Sequence, residues 1–383
     1  MVAFRTELDH LHANSPSGAA GRADLDAVIA TLESTYSGAD IQRLVTPEAW
    51  SGGLHEWWLR DDQSTPRDRE DDEAWKAFTD PATGAILGDT RGSTVSAALA
   101  WIAMFHHNLW LGKTGLIIIG SSGLCLLGFV VTGLCLWWPG LRRLRNGFTV
   151  RWHRGTFLRH FDLHKVVGVV GIPLFLVTAI TGCLFAFPWM RAVVHSGLGG
   201  TAADRPLALV PQDQRPRSTP GTGAITWSTA IATAIATAEA TAPTARVAVV
   251  MSPRGETGTW TVLMAEGLAS TGAYTGLAVR LDRHTGAVID TSDPRAMSVG
   301  GWINSQVWGL HVGTWGGLTT RILHTLCGLL PPVLLFTGIA IWLHRLRLAG
   351  QVRQQRSAAN ATESSPTGSP ERALDPRESL PMG

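Results

Sequence analysis

Three long stretches almost free of charge constrain this chain more than any other feature. Leu116 to Trp138, Val166 to Pro188 and Ile322 to Leu343 are each about 22 residues long. At about 1.5 Å of rise per residue such a helix reaches roughly 33 Å, enough to cross a hydrocarbon core of about 30 Å. Trp110, Trp137, Trp138, Trp189, Trp315 and Trp342 flank the three runs, where indole rings favour the membrane–water boundary. The sequence therefore predicts a membrane protein with three spans and the lipid bilayer as its first partner.

Basic residues set the expected orientation. The loop between the first two runs carries Arg142, Arg143, Arg145, Arg151, Arg154, Arg159 and Lys165 against the single acid Asp162, and the third run leads into Arg345, Arg347 and Arg353. Both regions are expected in the cytoplasm, which places residues 1–110 and 190–315 outside. The arginine cluster reads as a determinant of topology, since no Gly-x-Gly-x-x-Gly pattern follows a strand to suggest a nucleotide site. The Ser-, Pro- and Glu-rich tail after about Gly350 is expected to be disordered. A net charge of +2 gives no electrostatic case for nucleic-acid binding. Cys125, Cys135, Cys183 and Cys327 all fall inside apolar runs and form no CxxC, so neither a zinc ribbon nor a thioredoxin-type site is expected.

The two polar stretches read alike. In the first, Asp24 to Tyr36 has helical periodicity, Ile41 to Val45 and His55 to Leu59 are strand-like, and Ala77 to Asp89 is a hairpin turning at Thr83-Gly84. In the second, Ile225 to Ala240 is helical, and Val247 to Met251 and Thr259 to Leu263 are strands. Leu277 to Asp290 closes it with the same Asp-x-x-Thr-Gly turn. When Thr132-Gly133 is aligned with Thr337-Gly338, Trp137 falls on Trp342 and His106 on His311 without a gap. The chain is thus a duplicated unit: a small α+β module, a histidine at the outer rim, then a membrane helix ending in Thr-Gly and Trp.

These features resemble the PepSY-associated transmembrane family. The resemblance rests on the Asp-x-x-Thr-Gly hairpins, Phe105-His-His-Asn-Leu-Trp-Leu-Gly112, Leu310-His-Val-Gly-Thr-Trp-Gly316, Asp162-Leu-His-Lys-Val-Val-Gly168 and the Thr-Gly exits, and covers residues 1–345. It implies an α+β membrane protein, a transmembrane helical bundle carrying two small extracytoplasmic PepSY-like modules. The resemblance also implies one more helix ahead of the first module. Val2-Ala-Phe4-Arg5-Thr6-Glu7-Leu8-Asp9 looks like the segment that follows that helix, with Phe185-Ala-Phe187 as its counterpart in the second unit. A mis-called start codon or a truncated gene is the expected explanation.

The family includes inner-membrane ferric-siderophore reductases that hold b-type haem between their helices. The resemblance therefore implies a haem-binding oxidoreductase of the bacterial cytoplasmic membrane. A cytoplasmic electron donor and a ferric siderophore docked between the outer modules would be its partners. Haem can carry an electron through lipid and protein side chains cannot, and a histidine nitrogen from each of two helices is a common way to hold its iron. The histidines expected to ligate are His106 with His107 beside it, His311, His324 one turn into the third run, and His164 at the mouth of the second. His153, His160 and His344 are further cytoplasmic histidines without a matching family position, so a haem on the inner side would need a ligand from the preceding helix. Each of these rings also has a structural reading, as an interfacial residue or one bonded to a neighbouring helix. A second function of a different class stays open: a non-catalytic membrane protein whose modules bind or restrain an envelope partner such as a peptidase. A permease is a weaker third, because three helices without acids inside the membrane offer little polar pathway.

The expected division is a first module over 1–100, rim and first span over 101–138, a basic loop over 139–165 and the second span over 166–188. The second module over 189–300, rim and third span over 301–343 and a disordered tail over 344–383 complete it.

Overall fold

Both polar stretches fold as a helix followed by four strands, yet they build one sheet and not two. The computed structural model describes residues 4–48, 53–61, 74–201, 204, 216–255, 257–265 and 277–363. The first repeat contains α1 (Arg5–His10), α2 (Leu25–Thr35), β1 (Asp40–Val45), β2 (His55–Arg60), β3 (Trp75–Thr79) and β4 (Ile86–Asp89). A rim helix α3 (Thr94–Asn108) leads into α4 (Gly112–Trp137), a short α5 (Leu144–Gly147), α6 (Thr156–Ala186) and α7 (Pro188–Gly197). The second repeat contains α8 (Trp227–Glu239), β5 (Arg246–Met251), β6 (Trp260–Ala265), β7 (Leu277–Leu281) and β8 (Val288–Ser292). It continues into α9 (Val299–Val312), α10 (Gly317–Cys327) and α11 (Leu330–Glu363). The chain divides into two compact units, residues 1–138 with 168–330, and 139–167 with 331–383.

The strand order is β4-β3-β2-β1-β5-β6-β7-β8, antiparallel throughout. The two repeats meet where β1 pairs with β5, with Arg43 opposite Met251, Leu44 opposite Val250 and Val45 opposite Val249. Each edge strand there is capped from beyond its end: Thr46 N–H donates to Ala248 O and Ser252 N–H to Gln42 O. A sheet edge left unpaired is a template for other chains, and this seam removes one edge from each half. The two expected modules are therefore halves of one sheet. Backbone hydrogen bonding runs unbroken from one half to the other through β1 and β5.

Both helices cover the same face of the sheet. Asp24 and Thr226 cap α2 and α8 by accepting from the N–H groups of Asp26 and Thr229. Helix α2 turns Val28, Ile29 and Leu32 inward, and α8 turns Ala230, Ala234 and Ala238. The alanines recur every fourth residue, so α8 presents a smooth stripe that lies close to the sheet. The Ala/Thr-rich run is thus a packing helix, and its Thr233 and Thr237 hydroxyls bond back to carbonyls of their own helix. With Leu44, Trp57, Leu59, Val250, Val262, Val279 and Leu281 these side chains form one core shared by the two repeats.

The hairpin motifs have a clear mechanical role. Asp80 accepts from Ala82 and Thr83 N–H in its own turn, and its second oxygen accepts from Ser17 N–H. Asp282 repeats this with His284, Thr285 and Thr219. The backbone donors hold both carboxyls well below the usual carboxylate range. Gly84 at φ 75° and Gly286 at φ 69° complete the turns in a region that costs other residues strain.

The opposite face of the sheet anchors α1. Lys76 Nζ lies 3.0 Å from both Asp9 and Glu56, His10 Nε2 lies 3.2 Å from Glu56, and Ser96 donates to Asp9. Burial alone would raise the Glu56 pKa, but the Lys76 charge and the His10 contact bring it down to about 2. From the same helix Glu7 pairs with Arg321 of α10 at 2.6 Å.

Three helical stretches are long and apolar enough to cross a membrane: Gly112–Trp137, Thr156–Ala186 and Gly317–Ser357. The second starts ten residues before the expected Val166, inside what reads as loop. The third is divided by Gly328 and Leu329 into α10 and α11, because Pro331 and Pro332 lack N–H groups and are accommodated only in a first turn. The tail is helical to Glu363 and so departs from the expected disorder. Residues 364–383 lie outside the described residues.

Leu44 is fully buried at the seam. Leu44→Ala is expected to cost about 2–5 kcal/mol. Amide hydrogen exchange should show β2 and β6 losing protection together. Loss confined to the first repeat would contradict a shared core.

Candidate functional site

The two rim histidines end equivalent helices. Ser93 and Ser298 cap α3 and α9 by accepting from Ser96 and Gly301 N–H. Both helices stop in left-handed backbone, at Leu109 (φ 53°) and Trp110 (φ 57°) in the first repeat and at Gly313 (φ 82°) in the second. These turns reverse the chain, so that His106 and His311 sit in the last turn before a new helix starts. Their ring centroids are 6.0 Å apart with planes at 31°, and His107 lies 6.0 Å from His106.

His311 is held from the end of α6. Its Nδ1 is 2.8 Å from Thr181 Oγ1. The Thr181 hydroxyl is also 2.6 Å from Val177 O, four residues back in its own helix. The shorter contact assigns the hydroxyl's single proton to Val177 O, and in that arrangement the oxygen accepts from the ring. Nδ1 of His311 therefore carries the hydrogen and Nε2 carries the lone pair. Gly182 follows, and a Cβ there would stand 3.5 Å from His311 Cε1, in van der Waals contact with the ring.

The other unit contains the same arrangement. His164, near the start of α6, has Nδ1 2.9 Å from Thr337 Oγ1, while Thr337 bonds Val333 O at 2.7 Å. A Cβ on Gly338 would again stand 3.5 Å from the imidazole Cε1. By the same reasoning His164 has its proton on Nδ1 and its lone pair on Nε2. Two residues before this histidine, Asp162 accepts two side-chain bonds from Arg151, at 2.7 and 2.9 Å, and one from the Arg151 backbone.

The remaining histidines are differently engaged. His324 places Nδ1 3.0 Å from Thr320 O and Nε2 3.0 Å from Leu310 O, and its ring covers Gly313, where a Cβ would come within 2.5 Å. With both nitrogens facing carbonyl oxygens, His324 braces the corner between α9 and α10 and directs no lone pair outward. His344 stacks on Phe157 at 4.4 Å, and His160 meets the edge of Phe336 at 5.8 Å. His153 lies in an exposed turn. Among the described residues no group of three or more His, Cys, Asp or Glu converges as a metal site, so a metal here would rest on paired imidazoles.

Sequence reasoning found the histidines and the Thr-Gly steps but did not join them. A threonine followed by glycine in an apolar helix is the available signal, since it offers an acceptor and room for a ring at once. What the spacing does not reveal is that each histidine reaches a helix remote in sequence.

Histidine–threonine contacts on long apolar helices, combined with a duplicated helix-and-sheet unit, define a membrane protein of mixed α and β structure. The chain belongs to the family of the PepSY-associated TM region, whose model matches residues 1–345. It is also similar to an uncharacterized protein of Pseudomonas aeruginosa, PA4219, with 32% identity over 123 residues. That stretch covers 31% of this chain and 27% of the relative's length.

Burial, then the neighbouring His106, His107 and His324, lowers the His311 pKa from 6.5 to about 4. The unfolded chain thus takes up the proton first, and the stability from a neutral His311 is complete above about pH 6.5 and lost as the pH falls through 4. Nitrogen-15 spectra should show a neutral, Nδ1-protonated His311 at pH 6. Thr181→Val, which removes a hydrogen bond of about 1 kcal/mol, should admit the other tautomer. An imidazolium signal at pH 6 would contradict the assignment.

Proposed function

We propose that this protein is a haem-binding oxidoreductase of the bacterial cytoplasmic membrane that passes electrons to a ferric chelate outside, in iron acquisition. The observation that carries the reading is the orientation of His311. Its proton is committed to Thr181, its Nε2 lone pair is uncommitted, and a second imidazole lies 6.0 Å away. An outer hydrogen bond that sets the tautomer of a ligating imidazole is a recurrent feature of metal sites. An iron bound through one nitrogen of each ring at about 2 Å would separate the centroids by roughly 6 Å. The residues of the outer layer therefore fit the group.

His311 and His106 would hold the haem of that layer. When bound it would supply a one-electron carrier at a depth where protein side chains supply none. Thr181 fixes the ring plane and the tautomer of His311, Gly182 gives it room, and His324 keeps the corner beneath it rigid. His164 is prepared in the same way by Thr337 and Gly338. No second imidazole contacts it among the described residues, so no inner ligand pair is assigned. The proposed orientation, with the sheet outside and the basic loop in the cytoplasm, follows the positive residues of 142–165. A cytoplasmic donor would supply the electron, and reduction of Fe(III) to Fe(II) weakens the chelate's hold on the metal.

The test is the visible spectrum of detergent-purified protein, expressed with adequate haem supply, in air and after dithionite. Sharp reduced bands are expected, lost in His311→Ala and shifted or weakened in Thr181→Val, with His324→Ala retaining them if its fold persists. A featureless spectrum would refute the proposal and favour a non-catalytic protein that binds an envelope partner.

A further inference from the structure

The segment between the first two apolar helices is folded, and a single carboxylate folds it. Asp162 is fully buried and holds both Arg151, at 2.7 Å, and Lys165, at 3.4 Å. Lys165 Nζ also donates to Asn146 O and Thr149 O, at 3.3 and 3.4 Å, which ties the residues around Phe148 to the start of α6. Asp162 is the sole acid of residues 139–167, and residues 331–362 of the same unit contain none. With that acid engaged, Arg142, Arg143, Arg145, Arg154 and Arg159 are exposed and form no ion pair among the described residues.

Apolar side chains stand out between these arginines. Leu141 is 76% exposed, Trp152 58% and Phe148 49%. Large apolar groups gathered on a folded segment and rimmed by charge mark an interaction surface. A positive loop that only oriented the chain would need neither a fixed fold nor outward rings. Within the same unit, His344 stacks on Phe157 at 4.4 Å, which brings the exposed Arg345 and Arg347 of α11 beside the first turn of α6. Both ends of the segment continue into helices long and apolar enough to cross a membrane, so it is tethered at the level of the lipid headgroups. The bilayer is therefore the surface already in reach, and its anionic lipids complement the charge.

We propose that residues 139–165 form a platform that lies on the membrane surface and binds anionic phospholipid. Leu141, Phe148 and Trp152 enter the boundary between headgroups and acyl chains, where aromatic rings and aliphatic side chains next to basic residues are favoured. The arginines pair with lipid phosphates, which a guanidinium matches with two parallel N–H bonds. Asp162 acts from within the fold: by holding Arg151 and Lys165 it fixes the loop and leaves the other cations to the lipid. The proposal does not rest on haem or on which side of the membrane the loop occupies, since it concerns the two spans that flank it and the charge between them.

The test places a photoreactive side chain at Leu141 or Trp152 of the full chain, in vesicles of equal parts phosphatidylglycerol and phosphatidylcholine. Mass spectrometry then identifies the lipid adducts. The same probe at Phe129, exposed within α4, reports lipid away from the arginines. Adducts at Leu141 and Trp152 are expected to favour phosphatidylglycerol by roughly fivefold, the scale of one basic residue at an anionic surface, with no preference at Phe129. Arg142→Gln, Arg143→Gln and Arg145→Gln together should bring the Leu141 ratio close to that at Phe129. Unchanged adducts at Phe129 would show that the span remains in the bilayer. High salt should lower the preference, because it screens exposed charge, while lipid adducts persist. Equal yields of the two lipids at Leu141 and Trp152, or no lipid adduct there, would overturn the proposal. So would adducts to an acidic protein in place of lipid when the probe is used in native membranes.

Discussion

The pairing of β1 with β5 is the contact from which the rest of the larger unit follows. Each repeat alone would be a four-stranded sheet with one helix on it and an open edge. Joined antiparallel at Leu44 and Val250, the halves share one core, and α2 and α8 lie side by side over it. The same relation brings the elements that leave each half into proximity, so that α3 and α9 end with His106 and His311 6.0 Å apart. A duplication of sequence becomes, through strand pairing, a convergence of two imidazoles. Neither repeat could produce that pair by itself.

The chemistry of these imidazoles is set by a hydroxyl with a single proton. Thr181 and Thr337 commit theirs to their own helices, which is the usual way a threonine satisfies itself among apolar neighbours. The oxygen can then only accept, and the histidine must give Nδ1–H. What leaves the contact is a neutral ring with its basic nitrogen uncommitted. At His311 burial and three neighbouring histidines disfavour the charged form further. His324 shows the opposite outcome from the same residue type, with two carbonyls occupying both nitrogens and the ring acting as a brace.

The repeats have diverged where the chain reverses. The second uses glycine at φ 82°, while the first places Leu109 and Trp110 in left-handed backbone, an arrangement that only its surroundings can maintain. Trp110 packs on Trp101 at 4.0 Å and on Phe105 at 4.9 Å, and its backbone N–H donates to the Asn108 side-chain oxygen. Aromatic packing thus fixes a turn next to His106 and His107 that glycine fixes next to His311.

The local elements are legible in the amino-acid order. Apolar runs must become membrane helices because lipid offers the backbone no partners, alternating strands and Asp-x-x-Thr-Gly turns define their hairpins within a few covalent bonds, and the offset of His106 with His311 exposed the duplication. Helix limits were less legible. Thr156 begins α6 ahead of its apolar run, and α11 continues past Gly350, because polar helical turns carry no hydropathic signal. The tertiary structure alone decided that the modules share a sheet, that His311 rests on Thr181 and His164 on Thr337, and that His324 is a strut. Each of these is a contact between residues far apart in the chain, and the composition of either partner does not specify which distant group it will meet.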